Sequence, residues 1–189
     1  MYMENDVTIP EKIAGLLCSA ILSDTLMFRS PTCTALDHLV AEKLASIAHI
    51  DIEQYARDMF DAGSNLKGKT IDEILHQDYK KFEIDGRTFA IGQITSINTR
   101  EIEQIQKSMY EYLTDYTENG CDVFLFVMTS ILDDSSGMLA FGDEAEEICS
   151  RAFQTEFVDH YAYLEGVVSR KKQIVPALVR AVQELDQPE

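Results

Sequence analysis

Basic residues are scarce in this chain: 16 Lys and Arg stand against 33 Asp and Glu, a formal charge of −17. Nucleic acids and membrane surfaces are themselves anionic, so this balance argues against a general nucleic-acid or membrane-binding face. It leaves room for one small basic pocket. Cysteine is sparse too. Cys18, Cys33, Cys121 and Cys149 are widely spaced, with no C-x-x-C pair and no Cys/His cluster. Buried free thiols in a reducing cytosol are the expected state, with a disulfide as the alternative. No apolar run reaches the roughly 20 residues that span a bilayer. The N-terminal MYMENDVTIPEK has no basic n-region and no signal-peptide core. A cytoplasmic protein with no membrane partner is expected. No two of His38, His49, His76 and His160 fall at i, i+4 spacing, and they leave no recognisable histidine metal site. G-x-S-x-G, P-loop and G-x-G-x-x-G motifs are missing. The adjacent acids Asp133 and Asp134 lack the regularly spaced oxygens of a calcium loop and read as a solvated turn.

What is present is ample apolar material. Of 189 residues, 46% are hydrophobic, enough for one substantial core or two small ones. The first third reads as helices. Thr8 and Glu11 have capping-box spacing around Pro10, and Ile13, Leu16, Leu17, Ala20 and Ile21 repeat at helical spacing. A second helix, capped by Thr32 or Thr34, carries Leu36, Leu39, Val40, Leu44 and Ile47. A third is capped by Asp51, buries Ile52, Tyr55, Ala56, Met59 and Phe60, and stops at Gly63. The small, polar stretch AGSNLKGKT (Ala62 to Thr70) is the linker candidate.

After it, strands and helices alternate. Thr70 and Glu73 cap a short helix with Ile71, Ile74 and Leu75. Asp85-Gly86 signals a hairpin between KFEI and RTFAIGQI. Asn98 and Glu101 open a long helix with the stripe Ile102, Ile105, Met109, Tyr112, Leu113 and Tyr116, ended by Asn119-Gly120. DVFLFVMT (Asp122 to Thr129) is a continuous apolar run, the pattern of a central strand buried on both faces. LDDSSG reads as a loop, MLAFG as a strand and Asp143 to Phe153 as a helix. GVVS (Gly166 to Ser169) reads as a strand before a last helix with Ile174, Val175, Leu178, Val179 and Val182. The fold class is α/β (α+β): a mixed sheet flanked by helices over about 120 residues, preceded by a helical segment.

Three stretches carry candidate chemistry. SRKKQ (Ser169 to Gln173) gathers Arg170, Lys171 and Lys172 at a strand-to-helix junction. A helix N-terminus favours anions, an Arg fork matches phosphate oxygens, and Lys adds point charge. Cations there oppose the helix dipole, a local conflict that hints at function. A solvated basic turn is the plainer alternative. HQDYKKF places Lys80 and Lys81 before a strand, where solvated surface is the usual explanation. In SAILSDTLMFRSPTCT, Asp24 sits among apolar residues. Buried, it would need a hydrogen bond, an ion pair or a metal; a capping or turn aspartate is the alternative.

Taken in order, ILSDTLMFRSPTCT, DYKKF and GVVSRKKQIVP resemble the C-terminal half of the manganese-dependent, second-family inorganic pyrophosphatases of the DHH phosphoesterase superfamily. The resemblance runs from about Ile9 to Leu185. It implies a metal-holding DHH domain and a second domain that closes over it and brings cations to the substrate phosphates. On that resemblance, residues 1–62 are the end of the DHH domain, 63–69 the linker and 70–189 the substrate-clamping domain. Asp24 corresponds to a manganese ligand, Lys80 to a substrate-binding lysine, and Arg170 with Lys171 to the pair that grips pyrophosphate. No catalytic residue is assigned. Mn2+ is the implied cofactor, with Mg2+ or Co2+ as substitutes. Pyrophosphate or another small phosphoanhydride is the implied ligand, and the whole enzyme is expected to be a homodimer. Arg170→Ala and Lys171→Ala are expected to weaken substrate use far more than folding.

The family's H-x-D-x-D motif, its further metal-binding aspartate and its DHH triplet are not in this sequence. The chain alone is therefore expected not to hydrolyse pyrophosphate efficiently. A fragment of a longer enzyme and a free-standing product with another role are both open. Ser130 stands where the family favours aspartate, and GQITSIN departs from its usual run. A short-chain polyphosphate hydrolase and a non-catalytic anion-binding module are the alternative functions.

Overall fold

The computed structural model describes residues 7–63, 66, 68–115 and 120–186. Tyr116, Asn119 and the linker residues Ser64, Asn65 and Lys67 lie outside them, as do residues 1–6. The chain divides into two compact units, Met1–Gly63 and Ser64–Glu189.

The first unit is three helices: α1 (Glu11–Asp24), α2 (Ala35–Ala48) and α3 (Ile52–Gly63). Thr8 does not cap α1. Its N-cap is Pro10, and the first helical bond runs from the Ala14 N–H to the Pro10 carbonyl at 2.9 Å. A residue before proline is pushed out of the helical region, so Ile9 cannot begin the helix. Thr34, not Thr32, caps α2, in a reciprocal capping box with Asp37. Asp51 caps α3 through the Gln54 N–H at 2.8 Å.

The buried faces of α1 and α2 match only part of the stripes that the spacing suggests: Leu44 is buried and Ile21, Val40 and Ile47 pack against the core, but Leu16, Leu17, Leu36 and Leu39 do not. Ala14, Cys18 and Leu22 are buried on α1, and Ala41, Leu44 and Ala45 on α2. Small residues let the two helix backbones approach closely. A one-position shift turns a helical stripe by about 100°, which sends Leu16, Leu17, Leu36 and Leu39 outward. Leu36 and Leu39 are 65% and 64% exposed. Leu39→Gln is therefore expected to change stability by less than about 0.5 kcal/mol. Leu22→Ala should cost about 2–5 kcal/mol. Urea unfolding of the two variants checks the contrast.

The second unit is a five-stranded mixed sheet in the order β1 (Tyr79–Ile84), β2 (Arg87–Ser96), β3 (Val123–Ser130), β4 (Ser135–Phe141) and β5 (Tyr161–Glu165). Only β2 and β3 run parallel; the other neighbours are antiparallel. The crossover between them is α5 (Thr99–Thr114), which with α4 (Ile71–Leu75) covers one face. The other face is covered by α6 (Ala145–Phe153) and α7 (Val175–Leu185). Strand β3 is central and buried at all eight positions, as a strand covered on both faces must be.

Local signals set most of these boundaries. Asp85 and Gly86 take φ of 46° and 81° in a two-residue hairpin loop, with Ile84 facing Arg87 across it. Thr70 and Glu73 form a capping box, whose hydrogen bonds hold the Glu73 carboxyl below the ordinary glutamate range. Asn98 caps α5. Arg87 reaches from the start of β2 to Glu144 at 2.8 Å and Asp186 at 2.9 Å, and holds the Glu144 carboxyl below its ordinary range.

Several expectations need correction. LDDSSG is not all loop: Ser135, Ser136 and Gly137 are buried in β4, paired with Ser130, Thr129 and Met128. The buried Ser136 hydroxyl is tolerated there because it meets Thr129 Oγ1 and the Val167 carbonyl. GVVS is not a strand. The strand is Tyr161–Glu165, whose Ala162 and Leu164 point inward while Tyr163 and Glu165 face solvent. The α6 helix begins at Ala145 rather than Asp143. None of the four cysteines is in a disulfide, and only Cys18 and Cys149 are buried; Cys33 and Cys121 are half-buried.

Candidate phosphate-binding site

The face of the sheet under α6 and α7 changes character toward the C-terminal ends of β2 and β3. Phe89 and Ile91, Val123, Leu125 and Val127, and Met138 and Ala140 fill it with apolar side chains. One step further on each strand stand Gln93, Thr129 and Ser136, all buried. They form a chain. Gln93 Nε2 donates to Thr129 Oγ1 at 2.9 Å, and Thr129 and Ser136 share a hydroxyl bond of 2.9 Å. Ser136 donates to the Val167 carbonyl at 2.6 Å, and Gln93 reaches the Val168 carbonyl at 3.5 Å.

This row explains why GVVS leaves the sheet. The carbonyls of Gly166, Val167 and Val168 are taken by side chains instead of a strand ladder. The N–H groups of Val168 and Ser169 are taken by Gln173 Oε1 at 3.0 Å each, and that of Gly166 by the Asp134 carbonyl at 2.9 Å. Gln173 Nε2 closes the loop onto the Gly166 carbonyl at 2.6 Å. The chain then enters a π-helical turn, Arg170–Ile174, which runs into α7. Single π turns at a helix start are a recurrent feature of functional sites. The Ser169 hydroxyl caps the Lys172 N–H at 3.3 Å. Much of the helix start is thus already satisfied internally, so an anion here would be held mainly by side chains rather than by the amides of a helix N-terminus.

Arg170 and Lys171 part company at this turn. Lys171 is exposed. Arg170 is only 8% exposed and is held on three sides. Nη1 donates to the Asp78 carbonyl at 2.7 Å and to the Ile91 carbonyl at 3.3 Å. Nη2 donates to Asp78 Oδ1 at 2.7 Å. A buried cation needs such compensation. Lys80 lies opposite Ile91 in the hairpin register, so it sits beside the carbonyl that Arg170 contacts. It alternates in phase with Phe82 and Ile84, which pack under α6 and α7, and so leaves the sheet on the face that Arg170 enters. Lys80 and Arg170 thus share Ile91 as a neighbour, and Lys171 follows Arg170 on the same turn. Lys81, in the opposite phase, does not join them.

Asp24 belongs to the first unit. It is the last residue of α1 and is exposed, so it needs no compensating partner. The backbone after it is unusual: Leu26, Met27 and Phe28 have φ of 49°, 54° and 68°. Left-handed non-glycine residues cost about 1–2 kcal/mol each. Thr25 offsets this, donating to the Ile21 carbonyl at 2.7 Å and accepting the Phe28 N–H at 3.2 Å. Asp24 lines a shallow depression with Ala20, Ile21, Ser23, Thr25 and Asp37. The Asp37 carboxylate is engaged by Thr34, which holds it below the ordinary aspartate range. Among the described residues, no three His, Cys, Asp or Glu side chains gather as a metal site. The residues present do not by themselves fit a two-metal centre.

Reading the sequence alone passes over Asp78, Gln93, Thr129, Ser136 and Gln173. Only Asp78 carries a signal, as the acid two residues before Lys80. The hydroxyl and amide row has none, because isolated polar residues in strands announce nothing until their neighbours are known.

A buried arginine with lysines nearby on an α/β domain is an arrangement that can take an anion. More particularly, the chain belongs to the DHHA2 domain family, whose pattern matches residues 57–181. A protein of Clostridium acetobutylicum named as a probable manganese-dependent inorganic pyrophosphatase is 40% identical over 184 residues, covering 97% of this chain and 59% of that protein. One from Bacillus velezensis with the same name is 41% identical over 185 residues, covering 97% and 60%. A crystal structure from Methanococcus jannaschii, of a protein assigned to the family II inorganic pyrophosphatases, superposes with a TM-score of 0.80 at 38% identity, covering 93% of this chain and 57% of that one. The chain thus spans about three fifths of the length of these relatives. No helix among the described residues is long and apolar enough to cross a membrane.

Proposed function

We propose that this chain is the phosphate-gripping part of a manganese-dependent inorganic pyrophosphatase, which splits pyrophosphate into two phosphates. The observation that carries the proposal is the identity of about 40% to proteins of that name over 97% of the chain. The geometry supports it chemically. Splitting a phosphoanhydride develops negative charge on the leaving phosphate, and preplaced cations stabilise that charge. In this reading Arg170 offers a planar fork to the phosphoryl oxygens, and Lys80 and Lys171 add point charges around it. Asp24 contributes one carboxylate ligand to manganese. A single carboxylate does not complete such a centre. Residues 1–62 then correspond to the end of the metal-holding DHH domain and 70–189 to the clamp. A homodimeric, cytoplasmic enzyme belongs to the same proposal.

A chimera tests it. The chain would replace the matching 59% of the Clostridium acetobutylicum relative, and phosphate release would be followed with Mn2+. Turnover of pyrophosphate is expected. A soluble, folded chimera that releases no phosphate from pyrophosphate would sink the proposal. Faster release from tripolyphosphate would move the assignment to a polyphosphate hydrolase.

A further inference from the structure

We infer that Asp78 is a positioning residue that sets the orientation of Arg170 for its anion, an inference that rests on the phosphate-gripping role just proposed. A guanidinium presents two forks, one from Nη1 and Nη2 and one from Nε and Nη2. Asp78 occupies the first with two groups at once: its backbone carbonyl takes Nη1 and its carboxylate takes Nη2, each at 2.7 Å. Ile91 takes the remaining Nη1 hydrogen at 3.3 Å. Among the described residues, Nε–H and the second Nη2 hydrogen have no acceptor. These two hydrogens are parallel and spaced to meet two oxygens of one phosphoryl group.

Asp78 is itself well anchored. It lies just before β1, and its carbonyl also accepts the Gln93 N–H at 3.0 Å, which ties it to the buried polar row. Its carboxylate is 51% exposed, so hydration offsets part of its charge. A flexible arginine loses rotamer freedom on binding; one already held end-on loses less. Asp78 therefore acts through Arg170 rather than by touching the anion.

The sign of the mutational effect separates this role from plain electrostatics. Asp78 is an anion beside an anion site, so removing its charge should tighten binding if charge alone mattered. Positioning predicts the reverse. Pyrophosphate would be titrated without metal into the 189-residue chain and its Asp78→Ala and Asp78→Asn variants. Binding and the Arg170 Nε–H resonance would be followed by NMR, with urea midpoints confirming that each variant folds. Asp78→Ala is expected to weaken binding at least tenfold. Asp78→Asn keeps an acceptor at Oδ1 and should stay within about threefold of the parent. The Nε–H resonance of the parent should shift on saturation. Unchanged or tighter binding by Asp78→Ala, or a parent Nε–H that ignores bound pyrophosphate, overturns the positioning role while leaving the phosphate site intact. A parent chain that binds no pyrophosphate at millimolar concentration overturns the site and this role together. Should Asp78→Ala fail to fold, the Asp78→Asn result and the parent resonance decide.

Discussion

Arg170→Ala should lower the stability of the chain by about 2–3 kcal/mol and abolish pyrophosphate binding, whereas Lys171→Ala should weaken binding with stability unchanged within about 0.5 kcal/mol. The two residues are adjacent and share a charge, so sequence alone predicts one behaviour for both. Arg170 is buried and donates to two backbone carbonyls and a carboxylate. Removing one partner of a fully buried ion pair costs about 3–5 kcal/mol. Here Asp78 is half-exposed and water can solvate it afterwards, which brings the figure down. Its carbonyl also keeps the Gln93 N–H. Arg170→Ala is thus expected to lower stability as well as binding, a larger share for folding than the sequence alone suggests. Paired urea unfolding and pyrophosphate titration of both variants measure it. Equal stability losses in the two would contradict the separation.

Gly142→Ala should cost about 3 kcal/mol or more, though the residue lies away from the proposed site and has no side chain to lose. Gly142 adopts φ of +123°, a backbone region that L side chains rarely enter. A Cβ built there would lie 2.2 Å from the Asp122 carbonyl oxygen, well inside any real contact. Relief by movement is blocked. Asp122 donates its N–H to the Thr88 carbonyl at 2.9 Å and accepts the Thr88 N–H on Oδ2 at 2.7 Å. It is therefore pinned to the start of β2 at the moment the chain enters β3. A lowered urea midpoint at unchanged slope is the expected signature. A loss under about 1 kcal/mol would show that the β3 entry can shift, contrary to this account.

Much of the second unit was legible because its signals are local. Asp85-Gly86, the Thr70/Glu73 box, the Asn98 cap and the unbroken apolar run of β3 each depend on a few neighbouring residues. The three charged motifs were legible for a different reason: Arg, Lys and Asp in those patterns resemble a known family. Their surroundings were not. Whether Arg170 is buried or bathed in water depends on Asp78, which is 92 residues away in sequence. The Gln93, Thr129 and Ser136 row joins three strands and a loop. The α1 and α2 stripes are only partly legible, because hydrophobic spacing shows that a helix is amphipathic without showing which side faces its neighbour; close approach of small residues makes that choice.

The order of elements, the hairpin, the caps and the cationic character of the 169–173 turn all follow from the chain's own local chemistry, through backbone sterics, hydrogen bonds a few residues long and the periodicity of apolar side chains. The strand at Tyr161–Glu165, the looped course of Gly166–Ser169 and the unlike fates of Arg170 and Lys171 do not. They arise from side chains far apart in sequence that compete for the same backbone groups. That competition has an outcome only once the sheet has assembled and water has been excluded.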